Sequence, residues 1–346
     1  MGITAGITFA VTALLLLWMA DAEARGKPAG GGKPDTATEQ PVGRVHFGFA
    51  GNGAEYPDNR LYLYGGDGLK EGSSNFLVDF WSLNLNQDPP AWTKIAPRTT
   101  PGSKVSFGFA CSEKICLLVG GSPGGDETWV YSQGNANWTK LNCRRDLCPS
   151  TRVYPTLVYD ASHQNFVLFG GQSGRINLGD TYLFDPDAMT WTLAEPGSDA
   201  MPGRYLAGAV AVDGGVLMYG GVNWRVSGNH LDDMHFWDGS AWSLVTQSGN
   251  SPGPLYGQGM VYDGSRVIMA GGSAYDDGTA NQEAWSFSNG TWSTFALTCD
   301  RTPVRNASQM AYDQVSNTLV FFGGLKVNKN GGITGTYADL TICPVN

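Results

Sequence analysis

Six short stretches decide the reading of this chain: LYLYGG at 61–66, CLLVGG at 116–121, FVLFGG at 166–171, VLMYGG at 216–221, VIMAGG at 267–272 and LVFFGG at 319–324. Each is an apolar run closed by Gly-Gly, and the closing glycines are 55, 50, 50, 51 and 52 residues apart. A period near 50 held along the chain marks stacked supersecondary units. Around each pair the pattern continues. A small-residue segment precedes it, ending in Asp160, Asp213, Asp263 or Asp313 in four units. An acid follows it (Asp79, Glu127, Asp180, Asp233, Glu283, Asp339), with Trp81, Trp129, Tyr182, His235 or Trp285 two residues on. Nine to thirteen residues after the acid stands Trp92, Trp138, Trp191, Trp242 or Trp292.

Short alternating segments broken by Gly, Asn and Asp turns make a four-stranded antiparallel sheet. One such sheet cannot bury both faces. Several stacked around an axis can, and closing the ring leaves only short edges. The Gly- and Ala-rich first strand suits a crowded inner rim, and the Trp strand belongs outermost. Gly-Gly permits a sharp turn without a Cβ clash. Composition agrees: 48 Gly, 11 Trp, 14 Tyr and 15 Phe in 346 residues, with only 15% charged, do not suit a helical bundle.

Units of this kind resemble kelch repeats, and the likeness runs over about 44–346. It implies an all-β, six-bladed kelch-type β-propeller, related in architecture to the central domain of galactose oxidase. A propeller is a scaffold with many uses, so the resemblance names no activity. The sixth unit departs from the pattern. Its third strand opens at Asp339 and the chain reads only to Asn346, so no Trp strand follows. In related propellers an N-terminal strand often completes the last blade; here residues 33–43, rich in Pro, Gly and Thr, are a poor candidate. A three-stranded or loosely completed sixth blade is expected.

Residues 1–24 are set apart. Ile3 to Ala20 is almost wholly apolar, and Ala22-Glu23-Ala24 is a small-x-small pattern. The segment reads as a secretory signal peptide, with a retained anchor as the alternative. Residues 25–43 read as a flexible tether before a propeller at 44–346. The expected location is secreted or periplasmic, without stable membrane insertion once the signal is cut. Six cysteines then pair plausibly as Cys111 with Cys116, Cys143 with Cys148, and Cys299 with Cys343. The last pair carries a geometric question, because its members could lie at opposite ends of the blade. C-x4-C is not a zinc spacing, and neither metal nor cofactor is expected. Asn137, Asn289 and Asn306 open N-x-S/T triplets.

Formal charge is −9, which argues against a nucleic-acid partner. Loops between strands two and three are long, and they share a face with the inter-blade connections. That face is the expected binding face. At the entry to each first strand stand Arg44, Lys104, Arg152, Arg204, Pro254 and Arg305, five bases in an acidic chain. Around the channel mouth they would suit carboxylate or phosphate groups. Equally, they could belong to the repeat and pair with acids on adjoining loops. Tyr154, Tyr205 and Tyr256 lie just inside this ring, and Trp224, Arg225 and Tyr275 on loops after Gly-Gly. Exposed rings beside Arg suit sugar faces or a protein hot spot.

The expected function is therefore a non-catalytic binding module for a protein or acidic glycan. The alternative is a mutarotase or epimerase acting on an acidic sugar, like the sialic-acid mutarotases the chain resembles. Arg204 or Arg152 would then grip the carboxylate, with His46 or Asp276 carrying the proton. His235 occupies a ring position of the repeat and reads as structural. His46, His163 and His230 are scattered, and no catalytic residue can be named.

Overall fold

The computed structural model describes residues 39–51, 59–69, 73–143, 147–194, 201–225, 229–274, 281, 283–299, 305–327 and 333–345. The signal segment 1–24 and most of the tether expected at 25–43 lie outside these residues. Among the described residues the regular structure is β throughout: six sheets set as the blades of a propeller, and two small hairpins, Gln172–Ser173 with Ile176–Asn177 and Leu325–Val327 with Ile333–Thr336. Blade 1 runs from the axis outward as Gly48–Gly51, Arg60–Tyr64, Phe80–Asn84 and Ala91–Ile95, each strand antiparallel to the last. Blades 2, 3 and 4 repeat this order, from Gly108–Cys111 to Asn137–Lys140, Thr156–Asp160 to Thr190–Ala194, and Gly208–Val212 to Trp242–Leu244. Blade 5, Leu255–Tyr262 to Thr291–Phe295, gains a fifth strand, Ser248–Gly249, parallel to its outer edge. Blade 6 holds three: Ser308–Asp313, Thr318–Gly323 and Leu340–Pro344.

The blades pack through six apolar clusters, one at each interface. Five contain a Trp from an outermost strand. Trp138 of blade 2 lies against Tyr64 and Phe80 of blade 1, ring centroids 5.2 and 5.4 Å away. Trp191 and Trp242 bury their rings at the next two interfaces, donating Nε1–H to Thr128 and Thr181 of the preceding blade. Trp92 of blade 1 meets Phe322 of blade 6 at 5.3 Å and so closes the ring. Burying an indole this way combines a large transfer term with ring-edge contacts.

Gly-Gly does more than turn the chain. In five of the six pairs the second glycine donates its N–H to a carbonyl at the entry to the next blade's first strand. Gly66 donates to Lys104 at 2.9 Å, Gly121 to Arg152 and Gly171 to Arg204 at 2.9 Å, and Gly221 to Leu255 at 2.8 Å. Gly324 donates to Arg44 at 3.0 Å, which joins the last blade to the first. The first glycine must lack a Cβ for that carbonyl to approach. A Cβ on Gly120 would stand 2.6 Å from the Arg152 oxygen, and one on Gly323 2.6 Å from that of Arg44.

The blade 5–6 interface has no outer-strand Trp. Leu297 and Cys299, from the connection after blade 5, pack into it beside Cys343 and Val345. The three expected cysteine pairs all form. The doubt over Cys299 and Cys343 is removed by the path of this connection, which runs beside the last strand. Thr298 Oγ1 donates to the Pro344 carbonyl at 3.1 Å, and the two cysteine Cα atoms are 4.8 Å apart. A disulfide thus anchors the interface that lacks a Trp.

The described end of the expected tether is also docked rather than free. Glu39 pairs with Lys94 at 2.5 Å, Pro41 and Gly43 are buried, and the Val42 carbonyl accepts from Arg44 Nε.

The cross-link between Cys299 and Cys343 spans 44 residues, whereas Cys111 and Cys116 are 5 apart. Chain entropy then assigns about 4 kcal/mol to the first and about 2 kcal/mol to the second. Urea unfolding of the Cys299→Ser/Cys343→Ser variant should show the larger loss of the two double variants. An equal or smaller loss contradicts the anchoring role.

Candidate functional site

The five bases do not face a ligand. Arg44 forks onto Asp79 at 2.7 and 2.8 Å, Arg152 onto Asp180 at 2.8 and 2.9 Å, and Arg204 onto Asp233 at 2.5 and 2.8 Å. Arg305 does the same with Asp339 at 2.8 and 2.5 Å, and Lys104 pairs with Glu127 at 2.6 Å. In each case the acid opens the third strand of the same blade. The guanidinium also donates to the first glycine of that blade's pair: Arg44 to Gly65, Arg152 to Gly170, Arg204 to Gly220. Arg44, Arg152 and Arg204 have no exposed side-chain surface, while Asp79, Asp180 and Asp233 keep 19, 27 and 27%. The expectation of a cationic mouth is therefore corrected: the bases are consumed inside the blades, and the pairs turn their carboxylates outward.

The aromatic residue two positions after the acid joins this unit. Trp81 Nε1 donates to Asp79 and Trp129 Nε1 to Glu127. His235 Nε2 meets Asp233 at 2.8 Å, which is the structural role read for it. Burial resists ionisation of Asp79 and Asp233, but the hydrogen bonds from Arg44 and Trp81, and from Arg204 and His235, outweigh it. Both carboxyls are held below the usual range. Glu127, likewise opposed by burial and favoured by Lys104, Lys140 and Trp129, titrates at about 2.

Blade 5 breaks the pattern. Leu255, not Pro254, occupies the entry position, because its carbonyl accepts from Gly221 as the Arg carbonyls do elsewhere. Its acid, Glu283, is exposed.

The central channel has a volume of about 1100 Å³ and is lined by the first strands of all six blades. At its long-loop end stand His46, Ser106, Tyr154, Leu206, Gly257 and Ala307, one per blade, all at positive φ between 53° and 67°. Four backbone bonds link five of them: Ser106 N to His46 O, Tyr154 N to Ser106 O, Leu206 N to Tyr154 O, and Gly257 N to Leu206 O. Left-handed backbone costs a non-glycine residue roughly 1 kcal/mol, and these bonds offset it. The girdle fixes which side chains line the mouth, and the sequence reading did not find it as a set.

From the mouth a series of rings runs outward. His46 meets Tyr154 at 5.5 Å, Tyr154 meets Tyr205 at 6.1 Å, and Tyr205 meets Trp224 at 6.1 Å. Tyr256 stacks on His230 at 4.8 Å. Tyr154, Tyr256 and Trp224 thus lie on one face. Arg225, next to Trp224, is exposed. Tyr275 and Asp276 lie outside the described residues. Burial lowers the His46 pKa to about 4 and raises that of Tyr154 to about 12, so both are neutral near pH 7. His163 is on the opposite face, bound to Asp160 at 2.8 Å.

A family model described as the KLHDC2/KLHL20/DRC7 Kelch-repeats domain matches residues 32–221 and 110–324. The chain belongs to this kelch-repeat family. Similar curated proteins include the human "Rab9 effector protein with kelch motifs", 23% identical over 205 residues, covering 54% of either chain. The bovine protein of that name is 26% identical over 174 residues, covering 47% of this chain and 45% of its own. The mouse "Leucine-zipper-like transcriptional regulator 1" is 23% identical over 171 residues, 46% of this chain and 20% of that one. This kelch chain spans about half the length of the Rab9 effector proteins it matches.

The depressed carboxyl pKa values have a consequence. A carboxylate with a folded pKa below its unfolded value contributes stability above the unfolded value and loses it as pH falls toward the folded one. For Glu127 that window runs from 4.5 down to about 2. Melting temperature should fall across it, and the Glu127→Gln variant should start lower and fall less steeply. Parallel curves would contradict the assignment.

Proposed function

We propose that this chain is a binding module whose long-loop face docks a protein partner, in a secreted or periplasmic setting. The observation that carries this is the placement of exposed apolar side chains. Val78 is 54% exposed, Ile176 54% and Trp224 36%, each on a strand 2–3 loop of that face. Exposed apolar groups on the loops of one face of a rigid scaffold suit a protein anchor. Kelch relatives with "effector" in their names support a protein partner, and the three cysteine pairs support an oxidising compartment.

An acidic glycan, or an acidic sugar undergoing mutarotation, needs a cation at the mouth. Among the described residues no Lys or Arg lines the channel, and Arg152 and Arg204 are buried on their own Asp partners. These readings consequently lose the grip on which they rested.

The test is partner capture with surface variants. Ile176→Asp/Trp224→Asp should lose the partner at unchanged melting temperature. Leu193→Asp/Leu244→Asp, on outer strands with 52 and 68% exposure, should retain it. The reverse pattern would move the interface off the long-loop face.

A further inference from the structure

Three N-x-S/T triplets open at Asn137, Asn289 and Asn306, and the fold places the three asparagines differently. Asn137 begins the outer strand of blade 2, is half-buried, and its Oδ1 accepts from the Thr99 N–H at 2.9 Å. Asn306 is half-buried where it lines the channel, and the Ser308 of its triplet is buried, donating from Oγ to the Arg305 carbonyl. Asn289 is exposed. With Gly290 it makes the two-residue turn between Ala284–Ser288 and Thr291–Phe295, both at positive φ, 50° and 78°. Asn-Gly is the residue pair such a hairpin prefers. Thr291, the hydroxyl residue of this triplet, is exposed as well.

A bare apolar side chain stands near this turn. Leu244, on the outer strand of blade 4, is 68% exposed. The connection that follows it folds against the turn: Ser248 N–H donates to the Gly290 carbonyl at 2.9 Å, and a Cβ on Gly290 would stand 3.6 Å from the Thr246 carbonyl. An oligosaccharide on Asn289 reaches Leu244, and covering it removes apolar surface from water.

We propose that Asn289 is the N-glycan acceptor of this chain, that Asn137 and Asn306 stay unmodified in the folded protein, and that the glycan covers Leu244. This rests on the secretory setting proposed above, in its eukaryotic form, where the triplet is read. The donor is a lipid-linked oligosaccharyl diphosphate. The bond from its first sugar carbon to the diphosphate oxygen breaks, a bond from that carbon to Asn289 Nδ2 forms, the amide gives up one proton and the lipid diphosphate leaves. The turn closes the third and fourth strands of blade 5 at the end away from the long loops, so the glycan leaves the docking face bare. A glycan on Asn306 would stand in the channel.

The test expresses the full chain in cultured mammalian cells, beside a second version whose residues 1–24 are replaced by a cleavable secretory signal. Occupancy is read in lysate and medium by peptide N-glycosidase treatment in heavy-oxygen water and peptide mass spectrometry. Asn289 should be occupied in most molecules, with Asn137 and Asn306 unmodified in the secreted protein. Occupancy should vanish in Thr291→Val and persist in Thr291→Ser, because transfer needs the hydroxyl. Removing the glycan should raise binding of an apolar-surface dye severalfold, and Leu244→Asp should abolish that rise. An unmodified Asn289 in the version with the replaced signal, a glycan on Asn137 or Asn306 of the secreted protein, or a dye response indifferent to Leu244→Asp would each overturn the proposal. Occupancy of Asn289 only in the version with the replaced signal would contradict the secretory reading of residues 1–24 and support the assignment of Asn289.

Discussion

Everything in this molecule hangs on a close approach between neighbouring blades, where a Gly-Gly pair receives the carbonyl that opens the next blade's first strand. The first glycine makes space by lacking a Cβ, and the second donates the hydrogen bond. The residue supplying the carbonyl is, in four blades, also the base whose side chain reaches the acid on strand three. One residue therefore docks a blade to its neighbour by its backbone and ties its own sheet together by its side chain. The Trp clusters then fill the wedge that widens away from the axis.

That arrangement explains why the bases of the repeat do not line the mouth. Bidentate Arg–carboxylate pairs satisfy both charges and leave no free guanidinium for a ligand. Removing either member would strand a buried charge, so these positions are poor places from which to evolve a site. The variable positions are the six girdle residues and the loops above them. Inter-blade hydrogen bonds hold the backbone of five of the six, while the side chains differ from blade to blade: His, Ser, Tyr, Leu, Gly, Ala. A scaffold of this design separates what holds the ring from what faces the partner.

Much of the fold was legible because its determinants are local. The Gly-Gly pairs, the outer Trp and the short sixth blade follow from spacing along the chain, as does the structural role of His235. The orientation of the bases was not legible. Arg152 and Asp180 meet across a sheet, 28 residues apart, and sequence shows both residues without showing that they touch. At blade 5 no base marks the entry position, so the sequence places it one residue early at Pro254, and the Gly221 hydrogen bond identifies Leu255. The girdle was hidden for another reason: left-handed backbone at residues as different as His46, Ser106, Tyr154, Leu206 and Ala307 has no residue signature of its own, and hydrogen bonds between blades accompany it at all of these but Ala307. Residues 39–43 look like a linker by composition, yet Glu39 and Gly43 are held by Lys94 and the blade 1–6 groove.

The most direct test of this account is amide hydrogen exchange at the second glycine of each pair, read by NMR. If inter-blade docking holds the ring, the amides of Gly66, Gly121, Gly171, Gly221 and Gly324 should exchange as slowly as those of the inner strands, with Gly324 in the same class as the rest. Fast exchange at Gly324, with the other four protected, would show that the bond to Arg44 does not close the ring. Fast exchange at all five would contradict the central role given to the Gly-Gly contact.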